Sequence, residues 1–142
     1  MCYRETQKER YLQQAREIAQ FLLNHPRLPK DNIPYWDYDA PAHGGSTLRD
    51  ASAGAIMASA LLELSDYVEG NEKEFYYDNA KKIIRGLSND KYRSDRSENS
   101  HFLLKHSVGH LPGDSEVDVP LSYADYYYLE SMMRYLRDQT EN

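Results

Sequence analysis

The sequence contains little cysteine, no net positive charge and no long hydrophobic run. Its single cysteine, Cys2, cannot form a disulfide within the chain and does not indicate a compartment. The formal net charge is −6, and no basic patch with interleaved aromatics is present, which argues against nucleic-acid binding. The N-terminus is polar and lacks an apolar signal core, and no stretch is apolar enough to span a membrane. We therefore expect a soluble chain, with cytoplasm and periplasm both open.

Several common catalytic signatures are also missing. The sequence has no nucleophile elbow, no glycine-rich phosphate loop and no cysteine–histidine dyad. His106 and His110 have a spacing of four residues, but Gly109 and Pro112 argue against a helix between them. No third ligand has a convincing position, so a metal site is not expected.

Tyrosine is abundant by contrast. The chain has 13 tyrosines against 3 phenylalanines and one tryptophan, and its 142 residues are enough for one domain with a real core. A buried tyrosine hydroxyl needs a partner. The composition therefore predicts a core that is partly polar or that borders a wet site.

Hydrophobic periodicity predicts four helices, at about residues 6–24, 50–68, 72–87 and 123–137, with Gly70 and Asn71 ending the second. The first and third are amphipathic, whereas the second is apolar on nearly every side and must be covered on nearly every side. An alternation of outer-type and inner-type helices is what a two-layer α/α toroid needs, and a simple four-helix bundle is the alternative. The two long loops, residues 26–48 and 88–121, are unusual for a plain bundle.

Three polar clusters precede or open the inner-type helices, and each has a simpler explanation. Trp36 with Asp37 and Asp39 is either a ligand platform with a carboxylate pair, or a core residue beside acids that bond the backbone or Arg49. Asp50 and Ser52 at a helix start are equally well explained as capping residues. The third cluster runs from Lys105 to His110.

Three segments taken together resemble the C-terminal part of glycoside hydrolase family 88, the unsaturated glucuronyl hydrolases. They read IPYWDYDAP, LRDASAGAIMASALLEL and LLKHSVGHLPGDSEVDVPLSYADYYYLESMMRYL, and the resemblance extends from about Tyr11 to Arg137. It implies that residues 1–142 form part of an (α/α)6 toroid. The implied reaction removes a 4,5-unsaturated uronic acid from lyase-generated, glycosaminoglycan-type oligosaccharides by hydration of the C4=C5 bond. It requires no metal or organic cofactor.

The same resemblance places the catalytic aspartates upstream of this chain, so no catalytic residue is assigned here. It transfers only a C-terminal pocket wall that binds the substrate, namely Trp36, Arg49, Asp50, Ser52, Lys105, His106, Ser107 and His110. In the family the loop before the last helix contributes to the subsite for the leaving sugar and any sulfate on it. Lys105 and His110 are the residues expected to meet such a group.

Four helices cannot close a twelve-helix ring, and open helical interfaces drive association. We therefore expect either self-association or the missing N-terminal segment of the toroid to cover them, with no nucleic acid or membrane as partner. Two alternatives remain open. One is a fragment of the related family 105, the unsaturated rhamnogalacturonyl hydrolases, and the other is a non-catalytic carbohydrate-binding or interaction module.

Overall fold

The computed structural model describes residues 2–39 and 47–140. Ala40 and Pro41, at the end of the Trp36 segment, lie outside the described residues. Within the described ranges the chain forms five α-helices and one two-stranded antiparallel sheet. The helices are α1 (Cys2–Thr6), α2 (Glu9–Leu23), α3 (Ala51–Ser65), α4 (Gly70–Leu87) and α5 (Ser122–Thr140), and the strands are β1 (Ser107–His110) and β2 (Ser115–Val119).

Each predicted helix is present, with corrected ends. The first prediction, about residues 6–24, begins three residues before α2 and misses α1, and Gln7, with φ +52°, separates the two helices. The prediction that Gly70 stops a helix is wrong. The second helix already ends at Ser65, and Gly70, with φ +57°, is the first residue of α4. Glycine adopts that left-handed conformation without steric cost, so it suits the turn between two helices.

Helix α3 is the centre of the fold. It packs mainly against α4 and α5, and Ala53, Ile56 and Ala60 are its only residues that are not buried. This burial confirms that a helix apolar on nearly all sides is an inner element. The outer helix α2 is tied to α4 by Arg16, whose Nε and Nη2 donate to the two carboxylate oxygens of Glu72 at 2.8 and 2.7 Å.

Ile33 fixes the loop that leads from α2 to α3. Its side chain is fully buried between Gly54 of α3 and Gly86 of α4. A Cβ atom on Gly86 would lie only 3.0 Å from Ile33 Cδ1, so the close packing depends on the missing side chain. The loop around Trp36 is thereby held over the N-terminal end of α3.

The β1–β2 hairpin was not predicted, since its short strands lie in a segment interpreted as irregular. Ser107 pairs with Val119, Val108 with Val117 and His110 with Ser115, with an irregularity between Ser107 and Val108. The hairpin directly precedes α5, and the N–H of Ala51 donates to the carbonyl of His106 at 2.9 Å. Strand β1 is therefore attached to the first residue of α3.

Helix α5 buries one face and exposes another. Ala124, Tyr128 and Ser131 are buried, whereas Tyr126, Leu129, Met133 and Leu136 are between 50% and 68% exposed. An apolar groove of about 270 Å³ runs between α2 and α3. It is lined by Ala15, Ile18, Ala19, Leu22, Leu23, Ile56, Met57, Ala60, Leu61 and Leu64. The first and last long helices thus both present apolar surface to solvent.

Candidate functional site

The segment that contains Trp36 pairs with the residues that enter α3. Tyr35 and Arg49 form an antiparallel bridge, and the N–H of Trp36 donates to the carbonyl of Leu48 at 3.1 Å. Trp36 is partly buried, and its indole Nε1 has no hydrogen-bond partner within the described residues. The ladder places the tryptophan beside the start of α3, as expected, and its role in sugar binding stays a prediction.

Asp50 and Ser52 form the N-terminal cap of α3. One carboxylate oxygen of Asp50 accepts hydrogen bonds from the Ser52 N–H at 2.9 Å and the Ser52 hydroxyl at 2.6 Å, and from the Val108 N–H at 3.4 Å. Both side chains are buried. The capping explanation is therefore confirmed, and the additional bond to Val108 joins the cap to β1. A contact of either side chain with substrate stays a prediction.

Arg49 is held in a single arrangement by four partners. Its Nε donates to the Ile33 carbonyl at 2.9 Å, and its Nη2 forms an ion pair with Asp31. The guanidinium also lies 5.4 Å from the ring centre of Tyr35 and 5.9 Å from that of Tyr92. These contacts fix the position of an arginine that was predicted to bind substrate, and its contact with substrate stays a prediction.

The proposed pairing of Asp37 or Asp39 with Arg49 is wrong, because Asp31 occupies that role. Asp37 bonds the backbone instead: its carboxylate accepts from the N–H of Asp39 at 2.8 Å, which is a local turn. Both side chains are exposed. The backbone alternative therefore accounts for Asp37.

His106 is oriented by a second carboxylate. Its Nδ1 lies 2.7 Å from a carboxylate oxygen of Asp118, and its ring meets Tyr92 edge-on with the centres 6.2 Å apart. His106 has φ +64° and Asp118 has φ +55°, a left-handed conformation that costs energy in residues with side chains and that clusters at functional sites. The histidine ring is thus held between a tyrosine and an acid.

The other predicted residues of this loop diverge from His106. Lys105 Nζ donates to the carbonyl of Asp90 at 2.8 Å, and Ser107 is fully buried with an unpartnered hydroxyl within the described residues. His110 is exposed at the far end of β1, where its ring occupies the space that a Cβ on Gly113 would need. The substrate-binding roles assigned to these three residues stay predictions.

A small cavity brings two of the predicted residues together. It has a volume of about 150 Å³ and includes Arg49 and His106. Its remaining lining residues are Thr47, Leu48, Lys91, Tyr92 and Asp118. The predicted residues Trp36, Asp50, Ser52, Lys105, Ser107 and His110 do not line it.

Tyr92 is the main residue that sequence reasoning missed. It is fully buried, burial raises the pKa of its hydroxyl to about 12, and that hydroxyl has no hydrogen-bond partner among residues 2–39 and 47–140. Its neighbours in the sequence, NDKYRSDRSEN, are charged and look like a solvated loop. Asp118 could have been singled out from the sequence, because it lies in the Glu-Val-Asp motif that supports the family resemblance.

A second polar cavity lies between the C-terminal half of α3 and the first and middle turns of α5, with a volume of about 370 Å³. Here the buried Glu63 accepts from Arg4 at 3.2 Å and from Arg134 at 3.0 Å. Glu130 pairs with Arg134 and accepts a hydrogen bond from the hydroxyl of Ser59. These charges neutralise one another across the helix interface.

The described residues contain no group of three or more His, Cys, Asp and Glu side chains placed to hold a metal ion. In the same part of the chain, no helix has both the length and the apolar character needed to cross a membrane. The buried helix α3 between the outer helices α2 and α4, with a polar, aromatic cavity at its N-terminal end, is the arrangement expected of a segment of an α/α toroid.

Comparisons with known proteins identify which toroid it resembles. The unsaturated glucuronyl hydrolase of Formosa agariphila is 42% identical over 134 residues, covering 94% of this chain and 32% of the relative. A solved unsaturated glucuronyl hydrolase specific for heparin is 45% identical, with a TM-score of 0.91 over 97% of this chain and 36% of that one. No family model matches the chain.

A third relative has been solved with a sugar. It is a variant of the unsaturated glucuronyl hydrolase of Streptococcus agalactiae in complex with dGlcA-GalNAc6S, 28% identical, with a TM-score of 0.84 over 96% of this chain and 36% of that one. These findings confirm the resemblance to the unsaturated glucuronyl hydrolases and the partial α/α toroid. The chain spans about a third of the length of the curated relatives it matches.

Proposed function

We propose that this chain forms the C-terminal wall of the catalytic pocket of an unsaturated glucuronyl hydrolase. The observation that carries the proposal is the superposition on a solved enzyme of this kind at 45% identity and a TM-score of 0.91. The substrate is an oligosaccharide left by a polysaccharide lyase, with a 4,5-unsaturated uronic acid at its end. The heparin-specific relative and the relative bound to dGlcA-GalNAc6S support this substrate class.

The proposed reaction hydrates the C4=C5 bond, and the two parts of the toroid have different tasks in it. An aspartic acid outside this chain protonates C4, water adds at C5, and the resulting hemiketal opens and releases the neighbouring sugar. This chain supplies binding and orientation: Trp36 offers a stacking surface, and Arg49 and His106 offer polar contacts fixed by Asp31 and Asp118. Because the acid lies elsewhere, we expect the chain to be inactive alone.

The apolar faces support assembly with the rest of a toroid. The α2–α3 groove exposes Ile18 and Ile56, and α5 exposes Leu129 and Met133, so both ends of the helix series have surface to bury. Exposed patches of this kind mark interaction sites. A ring segment needs a neighbour at each of its two ends, and the remaining two-thirds of a glucuronyl hydrolase supplies both.

The test combines this chain with the part of the Formosa agariphila relative that it does not match, either mixed or fused. Turnover is followed as loss of the ultraviolet absorbance of the unsaturated uronate. We expect no turnover by the chain alone and clear turnover by the combination. Met133→Glu should weaken assembly at least tenfold, because burying a side chain of this size contributes about 1.5 to 3 kcal/mol. Lys82→Glu, on the exposed side of α4, is the matched control and should assemble normally.

Binding without catalysis is the second candidate, and the same apolar faces favour it if a second copy of the chain covers them. It predicts a dimer of the chain in solution that binds uronate oligosaccharides and that never gains activity from the complementary segment. An inactive combination that nevertheless assembles would favour this candidate over the hydrolase. The relatives described above are all glucuronyl hydrolases, so they favour that substrate class over rhamnogalacturonyl substrates.

A further inference from the structure

Asp118 lies at an irregularity of the β1–β2 hairpin. Ser107 pairs with Val119, and the next residue, Val108, pairs with Val117. Asp118 lies between those two partners in β2 and has no partner of its own in the described register of β1. Its φ is +55°, a left-handed conformation that is uncommon for a residue with a side chain. Irregularities of this kind re-aim side chains next to functional sites, so the direction of this carboxylate is a feature to explain.

The carboxylate of Asp118 is bonded to the ring of His106. His106 Nδ1 lies 2.7 Å from an oxygen of Asp118, and the other ring nitrogen, Nε2, has no hydrogen-bond partner among residues 2–39 and 47–140. An ionised carboxylate only accepts hydrogen bonds, so in the neutral imidazole Nδ1 carries the hydrogen. Nε2 is then left without a hydrogen and acts as an acceptor.

The backbone of His106 is held as well as its ring. Its carbonyl accepts from the N–H of Ala51, the first residue of α3, at 2.9 Å. The N–H of the preceding residue, Lys105, donates to the Tyr92 carbonyl at 2.8 Å. His106 itself has φ +64°, and residues held in such conformations cluster at sites that need a fixed geometry. Because its side chain is 42% exposed, His106 combines a fixed position with access to a ligand.

The charges around His106 do not favour an anion. Arg49 is paired with Asp31, and Lys91 and Asp118, which line the same cavity, carry opposite charges. These four groups sum to about zero. An oxyanion would meet the lone pair of Nε2 with a carboxylate on the far side of the ring. A neutral donor, such as a hydroxyl group of a sugar, matches an acceptor in these surroundings.

We propose that Asp118 is a positioning residue that acts through His106. It holds the imidazole in the tautomer with the hydrogen on Nδ1, so that Nε2 accepts a hydrogen bond from a hydroxyl group of the oligosaccharide and discriminates against groups that cannot donate. The identity of the ligand rests on the proposed function, whereas the tautomer does not. In the proposed reaction the acid lies outside this chain, so the contact contributes to binding and orientation.

The tautomer is measured in the complete 142-residue chain by NMR of the imidazole nitrogens. At about pH 9, where an ordinary histidine is neutral, we expect His106 to show a protonated Nδ1 and an unprotonated Nε2. Asp118→Asn keeps the size of the side chain and tolerates a left-handed backbone, but its amide both donates and accepts. It should lower the ratio of the Nδ1–H to the Nε2–H tautomer about five- to tenfold.

Asp114→Asn is the matched control for that measurement. Asp114 is another exposed acid of the hairpin region, and its φ is +50°, so the two substitutions make the same chemical change on a similar backbone. We expect it to leave the tautomer ratio of His106 unchanged.

A kinetic cycle shows whether Asp118 acts through His106. It uses the toroid assembled from this chain and the complementary segment of the Formosa agariphila relative. Asp118→Asn and His106→Ala should each raise KM about three- to tenfold with kcat nearly unchanged, because a lost contact with a remote hydroxyl group weakens the binding of substrate and transition state equally. The double variant should raise KM no further than His106→Ala alone, and Asp114→Asn should change neither constant.

Three outcomes would overturn the proposal. They are a tautomer ratio that Asp118→Asn leaves unchanged, a KM that His106→Ala leaves unchanged, and independent effects of the two substitutions on KM. A toroid that assembles but has no activity would instead reject the hydrolase assignment. The tautomer measurement needs no turnover, so it decides the role of Asp118 in that case too.

Discussion

The two ends of helix α3 place buried polar groups in different surroundings. At the C-terminal end, Glu63 is paired with Arg4 and Arg134, and the one buried polar atom there without a partner in the described residues is Arg134 Nε. At the N-terminal end, three buried polar atoms have no hydrogen-bond partner in the described residues: the Trp36 indole nitrogen and the hydroxyl oxygens of Tyr92 and Ser107. The charged groups of the first end are paired within the fold, whereas the second end has three buried polar atoms without a partner in the described residues.

The first end is structural, and the second is the end at which we expect substrate to bind. Buried polar groups that are fully bonded make a fold rigid and specific, and removing one member leaves the others unsatisfied. Buried polar groups without partners cost stability, and proteins tolerate that cost at sites of binding or catalysis. Substitutions at the two ends should therefore have opposite consequences for stability and for ligand binding.

The largest expected effect is at the structural end. Glu63→Ala removes the acid between Arg4 and Arg134, and the side chain of Arg134 is only 17% exposed. We expect the free energy of unfolding to fall by about 2 to 3 kcal/mol, because Arg134 loses a charged hydrogen-bond acceptor and, among the described residues, keeps only Glu130 at 3.6 Å. Urea unfolding of the chain measures this change. Glu74→Ala, an exposed acid of α4, is the control and should change it by less than about 0.5 kcal/mol. A similar loss in both variants would contradict the structural role of the network.

A smaller effect is expected where α3 begins. Asp50→Ala deletes the cap to Ser52 and the bond to the Val108 N–H. It should cost about 1 to 2 kcal/mol. Asp50→Asn retains a capping oxygen and should recover most of that loss.

Hydrogen exchange adds a local measurement to the Asp50 series. The amide of Val108 should exchange faster in Asp50→Ala, because the carboxylate that accepts its hydrogen bond is removed and β1 is less firmly attached to α3. Equal exchange rates in the native chain and in Asp50→Ala would show that the cap does not hold the hairpin.

The sequence predicts the structural frame better than the cavity, for physical reasons. The burial of α3 follows from its apolar residues on all sides, and the cap at Asp50 follows from residue type and position. The burial of Tyr92 depends on contacts with residues distant in the sequence. The backbone N–H of Lys105 donates to the Tyr92 carbonyl at 2.8 Å, and Arg93 forms an antiparallel β-bridge with Leu104. No local pattern encodes those contacts. The same holds for Asp31, which lies 18 residues from the Arg49 it pairs with.

The smallest expected effect at neutral pH belongs to Tyr92, and it grows with pH. Burial raises the pKa of Tyr92 to about 12 in the folded chain, above the ordinary value of about 10. Below about pH 10 the hydroxyl is neutral in both the folded and the unfolded chain, and Tyr92→Phe should change the free energy of unfolding by less than about 0.5 kcal/mol. As the pH rises from about 10 to about 12, only the unfolded chain loses the proton, so the native chain loses up to about 2 to 3 kcal/mol. Tyr92→Phe escapes this loss and should become the more stable of the two.

Tyr38, Tyr76 and Tyr77 also have pKa values raised by burial, but they are present in both chains, so their contributions cancel in the difference. Urea unfolding of the two chains at about pH 8 and about pH 11 measures the difference in their free energies of unfolding. If that difference were the same at both pH values, Tyr92 would not be a buried phenol without a partner, and the contrast between the two ends of α3 would lose its main residue.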